Sequence, residues 1–235
     1  MPSAIQSDAI GRRHRIGRNF YVFTFRVVLI SLLAFTGTAH SFENLTAAQN
    51  LVYGTAHLSN TVAGQQINYR YHSQVATGDI IADRVSLSIK KTHKDNKRDV
   101  VLDFLSAERH MALPDFNAFR GNPVIIAMLE HIAQSFGRET GGGALYFRNR
   151  IRDALAKKNT LIEQITVEYS DRTIGATRLL FSPFAGDVYL VEKPEYTRAN
   201  FSITLSDDVP GGVVGITVKS SQNNVTYFTR EIVIE

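Results

Sequence analysis

Three stretches of this 235-residue chain carry residue types that can do chemistry. In the first, Asp103, Glu108 and His110 bring two carboxylates and an imidazole into one short span. Glu108 and His110 stand two apart on a predicted strand and would share a face. With Asp103 they would form an acid–base or metal group suited to hydrolysis. Their spacing matches no defined motif. There is no H-x-H, no H-E-x-x-H and no G-x-S-x-G nucleophile elbow. The preferred reading is therefore structural, and a hydrolase built on this group ranks last among three functional readings.

The second stretch is Glu139–Leu155, "ETGGGALYFRNRIRDAL". A glycine run entering a helix can cradle an anion, because free N–H groups and the helix dipole point at it. Arg148 and Arg150 would supply cations. The run follows a helix rather than a strand, however, and lacks the lysine-serine/threonine end of a phosphate loop. On a helical wheel Arg148 and Arg150 flank the apolar stripe on opposite sides, and Arg152 points outward. Arg150 is placed to pair with Asp153. The segment reads as a tight corner between helices, with at least one glycine at positive φ. The third stretch, Met111–Val124, holds Phe116, Phe119 and Arg120. Exposed aromatics in such a loop could contact a partner. The preferred reading makes them a plug at the rim of the core. Glu130 and His131 read as a solvated pair on a helix, and His93 as part of a charged hairpin tip.

Composition narrows the function classes. The chain has 26 basic and 22 acidic residues and no cysteine. Arg12, Arg13, Arg15 and Arg18 precede the short apolar run Val27–Phe35 and the small-residue stretch "GTAHS". This is the layout of a secretory signal peptide, so residues 1–41 read as a cleaved leader and residues 42–235 as one domain. The apolar run is too short to span a bilayer, and no transmembrane span is expected in the mature chain. The leader holds five arginines and one acid, which leaves 21 basic against 21 acidic residues. A neutral surface gives no general attraction to nucleic acid. Absence of cysteine excludes disulfides, thiol catalysis and zinc–thiolate sites. No cofactor or metal is expected, and the setting expected is the periplasm.

The elements that must position these residues fall into three blocks. Strand-like runs come first: 50–61, 65–74, 80–93 and 98–110. Two amphipathic helices follow. The first starts at Asn122-Pro123, an N-cap followed by proline at the first helical position, and carries Ile125, Met128, Leu129, Ile132 and Phe136 on one stripe. The second carries Phe147, Ile151, Ala154 and Leu155. Six further strand-like runs complete the chain, among them "VEKPEY" (191–196) as an edge strand or strand end. The fold class expected is α+β: a large curved antiparallel sheet of about ten strands, half-barrel-like. An inserted helical hairpin packs on its concave face after the fourth strand.

That order of strands, helical hairpin and more strands resembles, in layout, the cupped sheet of periplasmic lipoprotein carriers. No motif carries the resemblance. The first functional reading is a non-catalytic envelope protein that binds an apolar-tailed, lipid-like ligand or an acylated partner. Met128, Ile132, Phe136, Phe147 and Ile151 are its candidate lining residues. The alternative is an interaction module supporting another envelope protein, through Phe116, Phe119 and Arg120 or through an edge strand.

Overall fold

The computed structural model describes residues 45–235 apart from 77, 158 and 159. The leader expected over residues 1–41 lies outside the described residues. Nine strands form one sheet: β1 (Gln66–Val75), β2 (Ile81–Thr92), β3 (Arg98–Phe104), β4 (Phe116–Phe119), β5 (Leu161–Tyr169), β6 (Arg172–Phe181), β7 (Asn200–Leu205), β8 (Val213–Gln222) and β9 (Val225–Ile234). Their order is β4-β3-β2-β1-β9-β8-β7-β6-β5, and every neighbouring pair is antiparallel. Two meanders are thus joined in the middle by β1 and β9. Turn chemistry sets the hairpins. Ser170-Asp171 and Asn223-Asn224 both hold positive φ, the backbone that a two-residue hairpin turn needs.

Alternation along the strands leaves one continuous apolar face. Val85, Tyr69 and Ile234 lie abreast across β2, β1 and β9. Tyr71, Ile232, Ile216, Ile203 and Leu179 continue a second row to β6. All of these side chains are buried. Helices α2 (Pro123–Thr140) and α3 (Ala144–Ala156) cover this face. Helix α2 begins as its sequence dictates: Asn122 accepts a hydrogen bond from Val124 N–H, and Pro123 occupies the first turn. It touches both β3 and β8, four places apart in the sheet, which curls around it. The α+β class and the curved antiparallel sheet with an inserted helical hairpin stand as expected.

Three elements differ from expectation. Residues 50–61 are not a strand. After α1 (Ala47–Gln49) come a wide turn at Asn50–Gly54 and a 3-10 turn at His57–Asn60. The cause is a capping box: Thr46 Oγ1 accepts from Gln49 N–H, and Gln49 Oε1 accepts from Thr46 N–H. "VEKPEY" is not an edge strand either. Asp187 caps a 3-10 turn at Val188–Leu190, and Pro194 opens the short helix α4 (Pro194–Thr197). Conversely, Phe116–Phe119, read as loop, pairs with β3 as β4. The sheet therefore has nine strands rather than about ten.

The glycine corner is conformational. Gly141 ends α2 at φ +76°, in the left-handed region. Gly137 lies so close to the second helix that a β-carbon there would stand 3.0 Å from the Ala144 nitrogen. Gly143 has φ −87° and open space around it. Gly141→Ala should therefore destabilise the protein by about 1 kcal/mol, and Gly143→Ala should be neutral or mildly stabilising. Urea unfolding of the two variants checks the ranking; equal effects would contradict it.

Candidate functional site

Phe136 is the centre of the interior. Its ring meets those of Phe147 at 5.8 Å, Phe184 at 5.7 Å, Tyr196 at 5.0 Å and Phe228 at 5.4 Å. Met128, Ile132, Phe147 and Ile151 are buried in the same apolar cluster. The five candidate lining residues are thus brought together, as packed side chains of the interior. A pocket of about 280 Å³ opens beside them, at the glycine corner. Thr140, Gly141 and Gly142 form one wall, and Tyr189, Leu190 and Lys193 the other. Tyr146 and Phe147 stand between. Phe147 therefore belongs both to the pocket wall and to the Phe136 cluster. Val188, Tyr189, Val191 and Leu145 are exposed around this opening.

The outer wall of the pocket belongs to residues 182–199, the connection from β6 to β7. Three anchors strap it over the hairpin. Phe184 inserts between Phe136, Phe147 and Phe201. The carboxylate of Asp187 meets Arg150 Nε at 2.9 Å as an ion pair. Tyr196 donates a hydrogen bond to Glu139 Oε2 at 3.0 Å. The other oxygen of Glu139 holds Arg230, a buried arginine on β9. The Arg230 guanidinium also lies 5.2 Å from the ring centres of both Phe136 and Phe228. Burial, then the Glu139 carboxylate, pushes the Tyr196 hydroxyl pKa upward. The segment read as an edge strand is therefore the part that shapes the pocket. Its signals were Asp187 before an apolar run and proline at a helix start.

The cations and acids of the hairpin are paired with one another. Arg148 makes a two-pronged contact to Glu130, Nε to Oε2 and Nη2 to Oε1, each at 2.6 Å. Glu130 is 5% exposed, so the solvated pair expected at Glu130 and His131 is corrected. The helix face that carries Glu130 is covered by α3, which wheel geometry alone does not reveal. Arg150 pairs with Asp187 rather than with Asp153; Arg152 takes Asp153 at 3.4 Å, in solvent. The three arginines do not converge. His131 Nε2 and the Tyr71 hydroxyl share a hydrogen bond at 3.1 Å, and the His131 ring packs on Tyr71 and Phe104. Burial, with Arg230 and Arg138 nearby, pushes its pKa down to about 4.

The remaining candidates lie elsewhere. Glu108 sits in a 3-10 turn after β3, not on a strand, so it does not share a face with His110. His110 Nε2 meets Asp103 at 3.2 Å on the open surface, and none of the three residues lines a described pocket. No acid–base group is assembled there. Among the described residues no cluster of histidine and acid side chains is arranged to hold a metal ion. Phe116, the first residue of β4, is buried, its ring 5.2 Å from that of the half-buried Phe119. Arg120 is exposed.

Two expectations follow from the paired groups. Arg148→Ala leaves the Glu130 carboxylate buried without its cation and should cost about 3 kcal/mol. Arg152→Ala should change stability by less than about 0.5 kcal/mol. Denaturant midpoints compare them. The second concerns pH. Above the ordinary histidine value of 6.5, His131 is neutral in both folded and unfolded chains. As pH falls from 6.5 towards 4, the unfolded chain takes up a proton that the folded one refuses. Stability should fall over that window by up to about 1.4 kcal/mol per pH unit and level off below it. His131→Gln keeps a hydrogen-bonding side chain and should remove that share of the slope. Parallel slopes for the two proteins would refute the assignment.

No protein-family model matches the chain, and no curated protein matches it in sequence. Two solved structures are similar in layout. The lipoprotein LppX of Mycobacterium tuberculosis is 9% identical with a TM-score of 0.30, over 72% of this chain and 84% of that one. A LolA-superfamily protein of Nitrosomonas europaea is 8% identical with a TM-score of 0.25, over 81% and 92%. Likeness at this level assigns neither a site nor a ligand.

Proposed function

We propose that this is a non-catalytic, periplasmic envelope protein that holds an apolar-tailed ligand, or the acyl chain of a modified partner, between the helical hairpin and the curled sheet. The observation that carries the reading is the pocket at the glycine corner. It is small for a drug-sized ligand, and it adjoins the Phe136 cluster through Phe147. A tail entering there meets Phe147 first and Phe136 next. Met128, Ile132 and Ile151 belong to the same buried apolar cluster. The leader read over residues 1–41 supports export.

An interaction module remains the second reading. The feature that favours it is β5, an edge strand of nine residues paired without interruption to β6 on one side only. A partner strand could add there through main-chain hydrogen bonds.

The carrier reading is tested with N-phenyl-1-naphthylamine, an uncharged fluorophore that brightens in apolar sites. Saturable binding is expected. Tyr189→Asp places a charge at the pocket mouth on an exposed side chain and should weaken binding several-fold without changing the melting point. Val225→Asp, exposed on another part of the surface, should leave binding intact. No saturable binding by the wild type, together with an extract of the natively purified protein free of lipid-like molecules by mass spectrometry, would end this reading.

A further inference from the structure

Two buried polar atoms on the inner face of the sheet have no hydrogen-bond partner: Nη1 of Arg230 and Oγ of Ser220. Arg230 is 4% exposed and Ser220 fully buried. Their strands place them together. Ser220 on β8 lies opposite Phe228, and Val218 lies opposite Arg230. The two residues are therefore diagonal neighbours on one face. Buried donors almost always find an acceptor, and leaving one unpaired costs more than a hydrogen bond returns. Two unpaired donors on neighbouring residues of one buried face are what an incoming acceptor would satisfy.

The surroundings define the acceptor. Phe136, Phe228 and the Tyr196 ring wall the spot with apolar surface. Nη2 of Arg230 already holds Glu139, so the arginine charge is neutralised within the protein. A carboxylate or phosphate arriving at Nη1 would add a second negative charge next to Glu139, in a low-dielectric setting where that is costly. A neutral oxygen accepts from both donors without adding charge. The spot is also one ring away from the pocket. Phe147 lines the opening and touches Phe136, and Phe136 carries the Arg230 guanidinium on its face.

We infer that Arg230 Nη1 and Ser220 Oγ receive the uncharged carbonyl of an acyl ester or amide, with the attached chain lying along the apolar stripe of α2. The ligand class is thereby an esterified or amide-linked acyl chain, not a free fatty acid and not a plain hydrocarbon. This rests on the apolar-tail reading above and specifies the polar end of the same site.

Displacement of N-phenyl-1-naphthylamine from the folded protein at pH 8 by methyl laurate, laurate and tridecane tests the inference. The three share a chain of similar length and differ in the polar end. Wild type should bind methyl laurate about tenfold or more tightly than tridecane, the worth of a hydrogen bond to a charged donor, and more tightly than laurate. Arg230→Lys keeps the charge for Glu139 but loses the forked second nitrogen, and Ser220→Ala loses the hydroxyl. Each should bring the ester-to-alkane ratio towards one while tridecane binding, and hence the folded site, is retained. Equal binding of ester and alkane by the wild type would overturn the carbonyl site and leave the apolar-tail reading standing. Tightest binding of laurate would overturn it in favour of an anion site. Failure of all three to compete would remove both readings together.

Discussion

The antiparallel pairing of β1 with β9 joins two meanders that would otherwise be separate small sheets. Its register runs from Tyr69 opposite Ile234 to Val75 opposite Phe228. The two strands are about 160 residues apart in sequence, so the chain entropy lost in closing them is large, although it grows only slowly with loop length. What offsets it is the single apolar face that the pairing completes. Tyr69 and Tyr71 on one side and Ile232 and Ile234 on the other become one surface, and α2 lies against it. Neither meander alone presents a face wide enough to bury an 18-residue helix whose stripe includes Met128, Ile132 and Phe136. The same register puts Ser73 beside Arg230 and so fixes where the buried charge of β9 stands.

Buried charge then ties the cover to the sheet. Arg230 is held by Glu139 of α2, Arg148 of α3 by Glu130 of α2, and Arg150 of α3 by Asp187 of the strap. Arg98 on β3 is held differently: it donates to the backbone carbonyls of Ser59, Thr61 and Lys97 and fastens the 3-10 turn at His57–Asn60. A buried ion pair contributes little net stability against an apolar replacement, because both ions lose water. Its consequence is positional. Each pair has one geometry in which neither ion is left bare, so the hairpin and strap are held at one angle to the sheet. The Arg150–Asp187 contact is the weakest of the three, since the Arg150 side chain is 40% exposed and screened by solvent.

Much of this architecture is legible locally. Period-two burial in β1, β2 and β9 and the Asn122-Pro123 helix start each follow from a few adjacent residues, whereas the helix stop does not: Gly137 lies inside α2, which runs on to Gly141. The choice of a corner over an anion cradle rests on local pattern too, because the phosphate-binding versions need a preceding strand. The misreadings share a cause. In residues 50–61 and 188–196, β-branched and aromatic content suggests strand, while the capping residues Thr46, Gln49 and Asp187 decide for turns and short helices. Glu130 and His131 were misplaced for a different reason. Their wheel position is polar with respect to α2 alone, and only the docking of α3 and of the sheet makes that face interior. Arg230 shows the same limit. It alternates correctly into the buried set of β9, yet nothing in "FTREIVIE" reveals which acid meets it, because Glu139 lies 91 residues away.

The strap completes a filled interior. Phe136, Phe147 and Phe184 pack ring against ring beneath it, and an acyl chain bound as proposed would have to take up part of that volume. Empty apolar volume of that size would be costly, since a cavity forfeits the contacts its lining would make. Admission of a chain exchanges aromatic contacts for methylene contacts, and each buried methylene returns about 0.8 kcal/mol. The polar links to be released are few: one half-exposed ion pair at Asp187 and one hydrogen bond from Tyr196. Both lie on the strap, whereas the Arg148–Glu130 pair joins the helices to each other and need not break. The fold thus concentrates its weaker fastenings along the wall of the pocket and its stronger ones within the hairpin.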